Sequence, residues 1–137
     1  YLPFIIKAFP GSKIIHIKRN KLDNCFSIYE RKFQGQMPWA YEWKELLDYY
    51  DLYDEQMRIW NNQFDNIFNI QYEDIVGNIE MHIKEMLKFC DLEFEESCVK
   101  FYENKRTVIT ASFDQVRKKI YTTSIGRSKD FVKYIDN

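Results

Sequence analysis

Arg19, Ser27 and Arg31 stand close together near the start of the 137-residue chain. Arg19 follows the short apolar, β-branched run Lys13-Ile14-Ile15-His16-Ile17-Lys18, and Ser27 and Arg31 are four positions apart in the stretch after it. Four positions bring two side chains onto one face of a helix, opposite the apolar residues Cys25, Phe26, Tyr29 and Phe33. A guanidinium beyond the carboxyl end of a strand, a helical hydroxyl and a helix N-terminus are together suited to holding a phosphate. The competing reading is a solvated face whose arginines pair with Asp23 or Glu30.

A second group, Tyr72-Glu73-Asp74, closes the apolar run Ile67-Phe68-Asn69-Ile70-Gln71-Tyr72. The ring can stack on a base and a carboxylate can cap the next helix, or the tyrosine simply packs. A third lies further on: Ser112-Phe113-Asp114-Gln115-Val116-Arg117-Lys118-Lys119-Ile120-Tyr121, then Ser124-Ile125-Gly126-Arg127. Its hydroxyls, carboxamide and cations either wrap an anionic ligand or form a bland solvated tail. His16, inside an apolar strand, and His82, inside a helical pattern, have no Cys or Ser partner at a nucleophile's spacing and read as structural.

The elements that must position these groups follow from periodicity. Leu2 to Phe9 reads as a helix stopped by Pro10-Gly11. The runs 13–18 and 67–72 read as buried strands. Leu22, Cys25, Phe26, Tyr29 and Phe33 recur at helical spacing, and residues 34–41 read as a loop. A long amphipathic helix is predicted from Trp43, Leu46, Leu47, Tyr50, Tyr53, Met57, Trp60 and Phe64, with Glu45, Asp48, Asp51, Asp54 and Glu55 on its wet face. Ile79, Ile83, Met86, Leu87 and Cys90 predict another helix, residues 95–102 a short one, and residues 106–127 an irregular segment. Strand, helix, strand, helix is the order of an α/β fold with parallel strands.

Composition sets bounds on the function. With 45% hydrophobic and 18% aromatic residues the chain has ample surface to bury as one unit. A net charge of −1 argues against a broad nucleic-acid-binding surface. Three cysteines, with neither a CxxC pair nor a histidine cluster, argue against a disulfide framework and a zinc site, and for a reducing, cytoplasmic setting. No apolar run has the roughly 18 residues of a membrane span. The opening Tyr1-Leu2-Pro3 reads as the middle of something longer.

The segment Phe9-Pro10-Gly11-Ser12-Lys13 through Arg19-Asn20, followed by Asp23, Ser27 and Tyr29, resembles the 3′-phosphate-binding strand and helix of the PAPS-dependent sulfotransferases, PAPS being 3′-phosphoadenosine 5′-phosphosulfate. Trp39-Ala40-Tyr41, the helix from Tyr49-Tyr50 to Trp60, Tyr72-Glu73-Asp74, Phe89-Cys90-Asp91-Leu92, and Thr110-Ala111-Ser112 through Gly126-Arg127 agree in order and spacing. The combination is most similar to bacterial sulfotransferase domains attached to tetratricopeptide repeats, relatives of the tyrosylprotein sulfotransferases.

The resemblance implies a P-loop NTPase-like α/β fold, incomplete, mostly helical with a short parallel sheet. It implies PAPS as cosubstrate, no metal, and transfer of a sulfuryl group to an acceptor hydroxyl or amine. Arg19 and Ser27 match the pair that binds the 3′-phosphate, Arg31 a further cofactor-contacting arginine, and Tyr72 a residue beside the adenosine. Ser112, Gln115, Val116, Arg117 and Tyr121 match the segment that covers the cofactor, Ser112 also stabilising the transition state, and Arg127 matches a cationic ligand.

Some positions depart from the pattern. The Gly/Ser/Thr-rich loop for the 5′-phosphosulfate and the general base after it have no counterpart in this chain. Asn20-Lys21 replaces Asp-Pro or Asn-Pro, and Ser128 stands where tryptophan is usual. Residues 1–137 therefore read as the C-terminal part of one sulfotransferase domain. The alternatives are a non-catalytic module that binds a 3′-phosphoadenosine nucleotide or phosphate, and a helical interaction domain that binds no nucleotide. The acceptor is open among protein tyrosine, sugar, lipid head group and small metabolite. A sheet without its N-terminal strand is expected either to be covered by the chain's own helices or to pair in a homodimer.

Overall fold

A computed structural model of the chain describes residues 1–31, 37–104 and 118–134. Helix α1 (Leu2–Ala8) has a proline in its first turn, where the missing N–H breaks no helical bond. It stops before Pro10-Gly11, and Gly11 turns the chain at φ +86°, a conformation that a side chain would strain. None of its residues is buried.

Strand β1 (Ile14–Lys18) lies parallel to β2 (Ile67–Gln71), with Ile14 opposite Ile67 and Lys18 opposite Gln71. The 21-residue helix α3 (Trp43–Gln63) lies in the connection between them. Side-chain alternation gives the sheet two faces. On one, the His16 ring bonds to the Tyr53 hydroxyl of α3, and Lys18 pairs with Asp54 of the same helix. On the other, Phe68 meets Phe89 of α5 (Ile79–Phe89) with ring centroids 5.3 Å apart, and Ile70 is buried. Ile15 and Ile17 share that second face and remain 40% and 51% exposed, so the chain's described helices cover the sheet only in part.

Helix α2 (Lys21–Tyr29) is capped by Asn20, whose side chain accepts from the Asp23 N–H at 3.2 Å. Its Cys25 forms the core with Leu46 and Tyr50 of α3, and Ile28, Trp39, Trp43, Leu47 and Tyr53 pack against them. Two expectations for this helix are corrected. Leu22 is 36% exposed while Asp23 is buried, because a distant segment covers the Asp23 side. The helix also ends at Tyr29, so Arg31 lies beyond its cap rather than on its surface.

The acidic face of α3 is not wholly wet either. Asp51 pairs with Lys21 at 2.6 Å and Asp54 with Lys18, tying α3 to the junction between β1 and α2. Helix α4 (Tyr72–Gly77) begins directly at the end of β2, so Tyr72 is the first helical residue rather than the last of the strand. After α5 come α6 (Glu96–Val99), a 3₁₀ turn at Phe101–Glu103, another at Thr122–Ser124, and α7 (Lys129–Val132). The described part is mostly helical around a two-stranded parallel sheet. No helix among the described residues is long and apolar enough to cross a membrane.

Candidate functional site

Arg19 and Tyr72 are each the first residue beyond a strand, and the strands run parallel and in register. Both side chains therefore emerge at the same end of the sheet, the end at which open α/β sheets bind ligands. The Arg19 guanidinium carbon lies 5.2 Å from the centre of the Tyr72 ring. One Arg19 Nη donates to the Ser124 carbonyl, and the Tyr72 hydroxyl and Ser124 Oγ are 2.7 Å apart. The Arg19 backbone carbonyl accepts from the Tyr50 hydroxyl at 2.6 Å, which anchors the strand end to the core. Burial, then the neighbouring Tyr53 and Asp54, push the Tyr50 hydroxyl up to about 12, so it keeps its proton and stays a donor.

Arg19, Tyr72 and Ser124 line one cavity of about 360 Å³ with Ile17, Ser27, Arg31, Tyr121 and Arg127. The space is in the range of small-molecule sites, roughly 300 to 1,000 Å³. Its chemistry is cationic and hydroxylic, with the rings of Tyr72 and Tyr121 in the lining. The Arg19 Nε is buried and has no hydrogen-bond partner among the described residues. A buried donor left unmade costs about 1–3 kcal/mol. Arg127 is held differently: its Nη1 and Nη2 donate to the two Glu30 oxygens at 2.8 and 2.7 Å, and its guanidinium carbon lies 5.4 Å from the Phe26 ring centre.

Asp23 sits behind this wall, only 2% exposed. One carboxylate oxygen accepts from the Ser128 N–H at 2.8 Å and the Ser128 hydroxyl at 2.7 Å, and the other accepts from the Gly126 N–H. Burial raises its carboxyl, but these bonds and the Arg19 charge outweigh that and hold it below the ordinary 3.8.

Of the expected site residues, the fold brings Arg19, Ser27, Arg31, Tyr72, Tyr121 and Arg127 together. Ser112, Gln115, Val116 and Arg117 lie outside the described residues. Sequence reasoning did not give site roles to Ile17 and Ser124, although Ser124 stands within the quoted tail motif. It also missed Asp23 as a fastener, since nothing local marks a helical aspartate as buried. His16 is on the opposite face of the sheet, bonded through Nδ1 to Asn69 Oδ1 at 2.7 Å, and His82 pairs with Glu85 at 2.8 Å. Among the described residues no cluster of three or more His, Cys, Asp or Glu could hold a metal.

Comparison with known proteins places this cavity in a context. A model described as Sulfotransferase family matches residues 1–96, which include Arg19, Ser27, Arg31 and Tyr72. A protein of Aquifex aeolicus (strain VF5), described as an uncharacterized protein, is 34% identical over 139 residues. That alignment covers 98% of this chain, which spans only 18% of the relative's length.

Proposed function

The chain belongs to the sulfotransferase family, and from that premise we propose that it carries the 3′-phosphate and adenosine side of a PAPS site in an enzyme that transfers a sulfuryl group to an acceptor hydroxyl or amine. The observation that carries the proposal is the meeting of Arg19 and Tyr72 at the ends of two parallel strands, in one cavity with Ser27, Arg31, Tyr121 and Arg127. The residues present fit such a ligand: the unpartnered Arg19 Nε faces a need for an anionic oxygen, and the Tyr72 ring offers a surface for a base.

In this reading PAPS supplies the activated sulfuryl group, and the protein contributes position and charge. Arg19, already bonded to Ser124, presents its remaining donors to the 3′-phosphate together with the Ser27 hydroxyl. Arg31 and Arg127 add positive charge to the same wall. Ser112, by resemblance, donates to equatorial oxygens as charge develops during transfer. The P-loop-like architecture, and a 5′-phosphosulfate loop and general base outside these 137 residues, belong to the same proposal. So do a cytoplasmic setting, consistent with three free cysteines, and pairing of two chains through the open flank of the sheet.

Calorimetry with 3′-phosphoadenosine 5′-phosphate tests it, comparing the parent with Arg19→Ala and Ser27→Ala. Each loss of a charge-assisted contact is expected to weaken binding by about 1.5–3 kcal/mol. Unchanged affinity in both variants sinks the assignment. A second reading is a phosphate or nucleotide-binding module without catalysis, since the cavity's cations and hydroxyls suit binding alone. Sulfate transfer by a longer polypeptide containing a Gly/Ser/Thr-rich turn, and its loss in Arg19→Ala, rejects that second reading.

A further inference from the structure

We infer that Asp23 is the positioning residue that fastens residues 126–128 to helix α2 and so, beside the Arg19 and Tyr72 bonds to Ser124, builds the Arg127 wall of the cavity. As a contribution to ligand binding this rests on the proposed nucleotide site; as a statement about the wall it stands on the geometry alone.

The argument begins at the N-terminus of α2. Asp23 is the third residue of the helix, the position from which a Glu or Gln side chain reaches back to the backbone N–H of the cap residue in a capping box. Here the Asn20 N–H donates instead to Glu73 Oε1, at 2.9 Å, from α4. The Asn20 side chain still caps the Asp23 N–H, so the helix start is satisfied without the Asp23 carboxylate. That carboxylate is thereby released to a segment 103 to 105 residues away.

It receives three donors there: the Gly126 N–H, the Ser128 N–H and the Ser128 hydroxyl. Gly126 sits at φ +75°, which side chains rarely adopt, and its N–H points at Asp23 from that turn. Ser128 is 3% exposed, so its hydroxyl has no water to turn to. Arg127 lies between these two anchored residues, and its side chain extends the other way to Glu30 and the cavity. Asp23 and Ser27 are one helical turn apart, so the face that binds the wall also carries a residue of the site.

The test compares Asp23→Asn and Ser128→Ala with the parent, and uses Asp130→Asn as the control. Asp130 is a carboxylate of the same C-terminal segment with a side chain 95% exposed. An amide in place of the Asp23 carboxylate offers one acceptor oxygen and an NH2 with two donors, so at least one N–H of the segment faces another N–H. Hydrogen exchange is read first, without any ligand. Exchange at the Gly126 and Ser128 amides is expected to quicken at least tenfold in Asp23→Asn, with the Leu46 and Tyr50 amides unchanged. Equal protection of Gly126 and Ser128 in parent and Asp23→Asn overturns the inference.

Calorimetry with 3′-phosphoadenosine 5′-phosphate follows. The inference expects at least tenfold weaker binding by Asp23→Asn, a smaller loss in Ser128→Ala, and parent affinity in Asp130→Asn. Parent affinity in Asp23→Asn overturns the positioning role. If the parent itself binds nothing, the proposed function fails and the exchange measurement alone decides the fastening. If Asp23→Asn unfolds globally, Ser128→Ala decides: it removes one of the three donors, so exchange at the Gly126 amide and the amide of position 128 is expected to quicken by a smaller factor, and unchanged exchange at both overturns the inference.

Discussion

Glu30 and Arg127 form a two-point ion pair between residues 97 positions apart, at 2.8 and 2.7 Å. Glu30 sits just past the end of α2, and its carboxylate occupies the donors that Arg127 would otherwise turn toward an anion in the cavity. The pair is partly exposed, so its contribution to stability is small, about 0–1 kcal/mol.

Glu30→Gln is therefore expected to leave the melting temperature nearly unchanged while strengthening binding of 3′-phosphoadenosine 5′-phosphate. Removing one competing negative charge at this exposure corresponds to about 0.5–1 kcal/mol, a two- to fivefold gain by calorimetry. Weaker binding in this variant would show that the ion pair holds Arg127 in its working position instead.

Tyr72→Phe keeps the ring beside Arg19 and removes only the bond to Ser124 Oγ. Urea denaturation should register a loss of about 0.5–1.5 kcal/mol. Tyr72→Ala removes the ring as well and is expected to weaken nucleotide binding clearly beyond the Phe variant. Equal affinities in the two would take the ring out of the site.

The sign of the Asp23 titration fixes a pH dependence. Its folded carboxyl lies below the unfolded value of 3.8, so its stabilisation is fully present above that value and is lost as pH falls through the folded one. Urea midpoints of the parent should therefore fall more steeply below about pH 4 than those of Asp23→Asn. Parallel curves for the two proteins would mean that the carboxylate is not preferentially stabilised in the fold.

Burial pushes the Cys25 thiol up to about 11, and it donates to the Leu46 carbonyl. At pH 8 Cys90 and Cys98, both partly exposed, should react with a thiol reagent before unfolding, and Cys25 only on unfolding. Mass mapping of labelled peptides checks the order.

What could be read from the sequence, and what could not, divides along local and distant causes. The strands follow from β-branched runs ending in polar residues, and that placed Arg19 and Tyr72 at strand ends. The 3/4 spacing gave α3 its buried Leu46, Tyr50 and Met57. By contrast, the burial of Asp23 depends on residues 126–128, and a charged residue beside Leu22 reads locally as the wet one. The pairing of Lys18 and Lys21 with α3 carboxylates likewise depends on how that helix lies across the sheet. Arg31 reads as part of a helical face because nothing between Tyr29 and Arg31 signals a stop, yet the helix ends at Tyr29.

The in-register pairing of β1 and β2 also bears on which length changes the chain can absorb. A residue inserted within either strand would reverse the side of the sheet from which every later side chain in it projects, parting Arg19 from Tyr72. Insertions in the connection between the strands shift neither partner. Homologous chains should thus show alignment gaps between the strands and none inside them, and a one-residue deletion within β1 or β2 should cost the site its Arg19–Tyr72 contact.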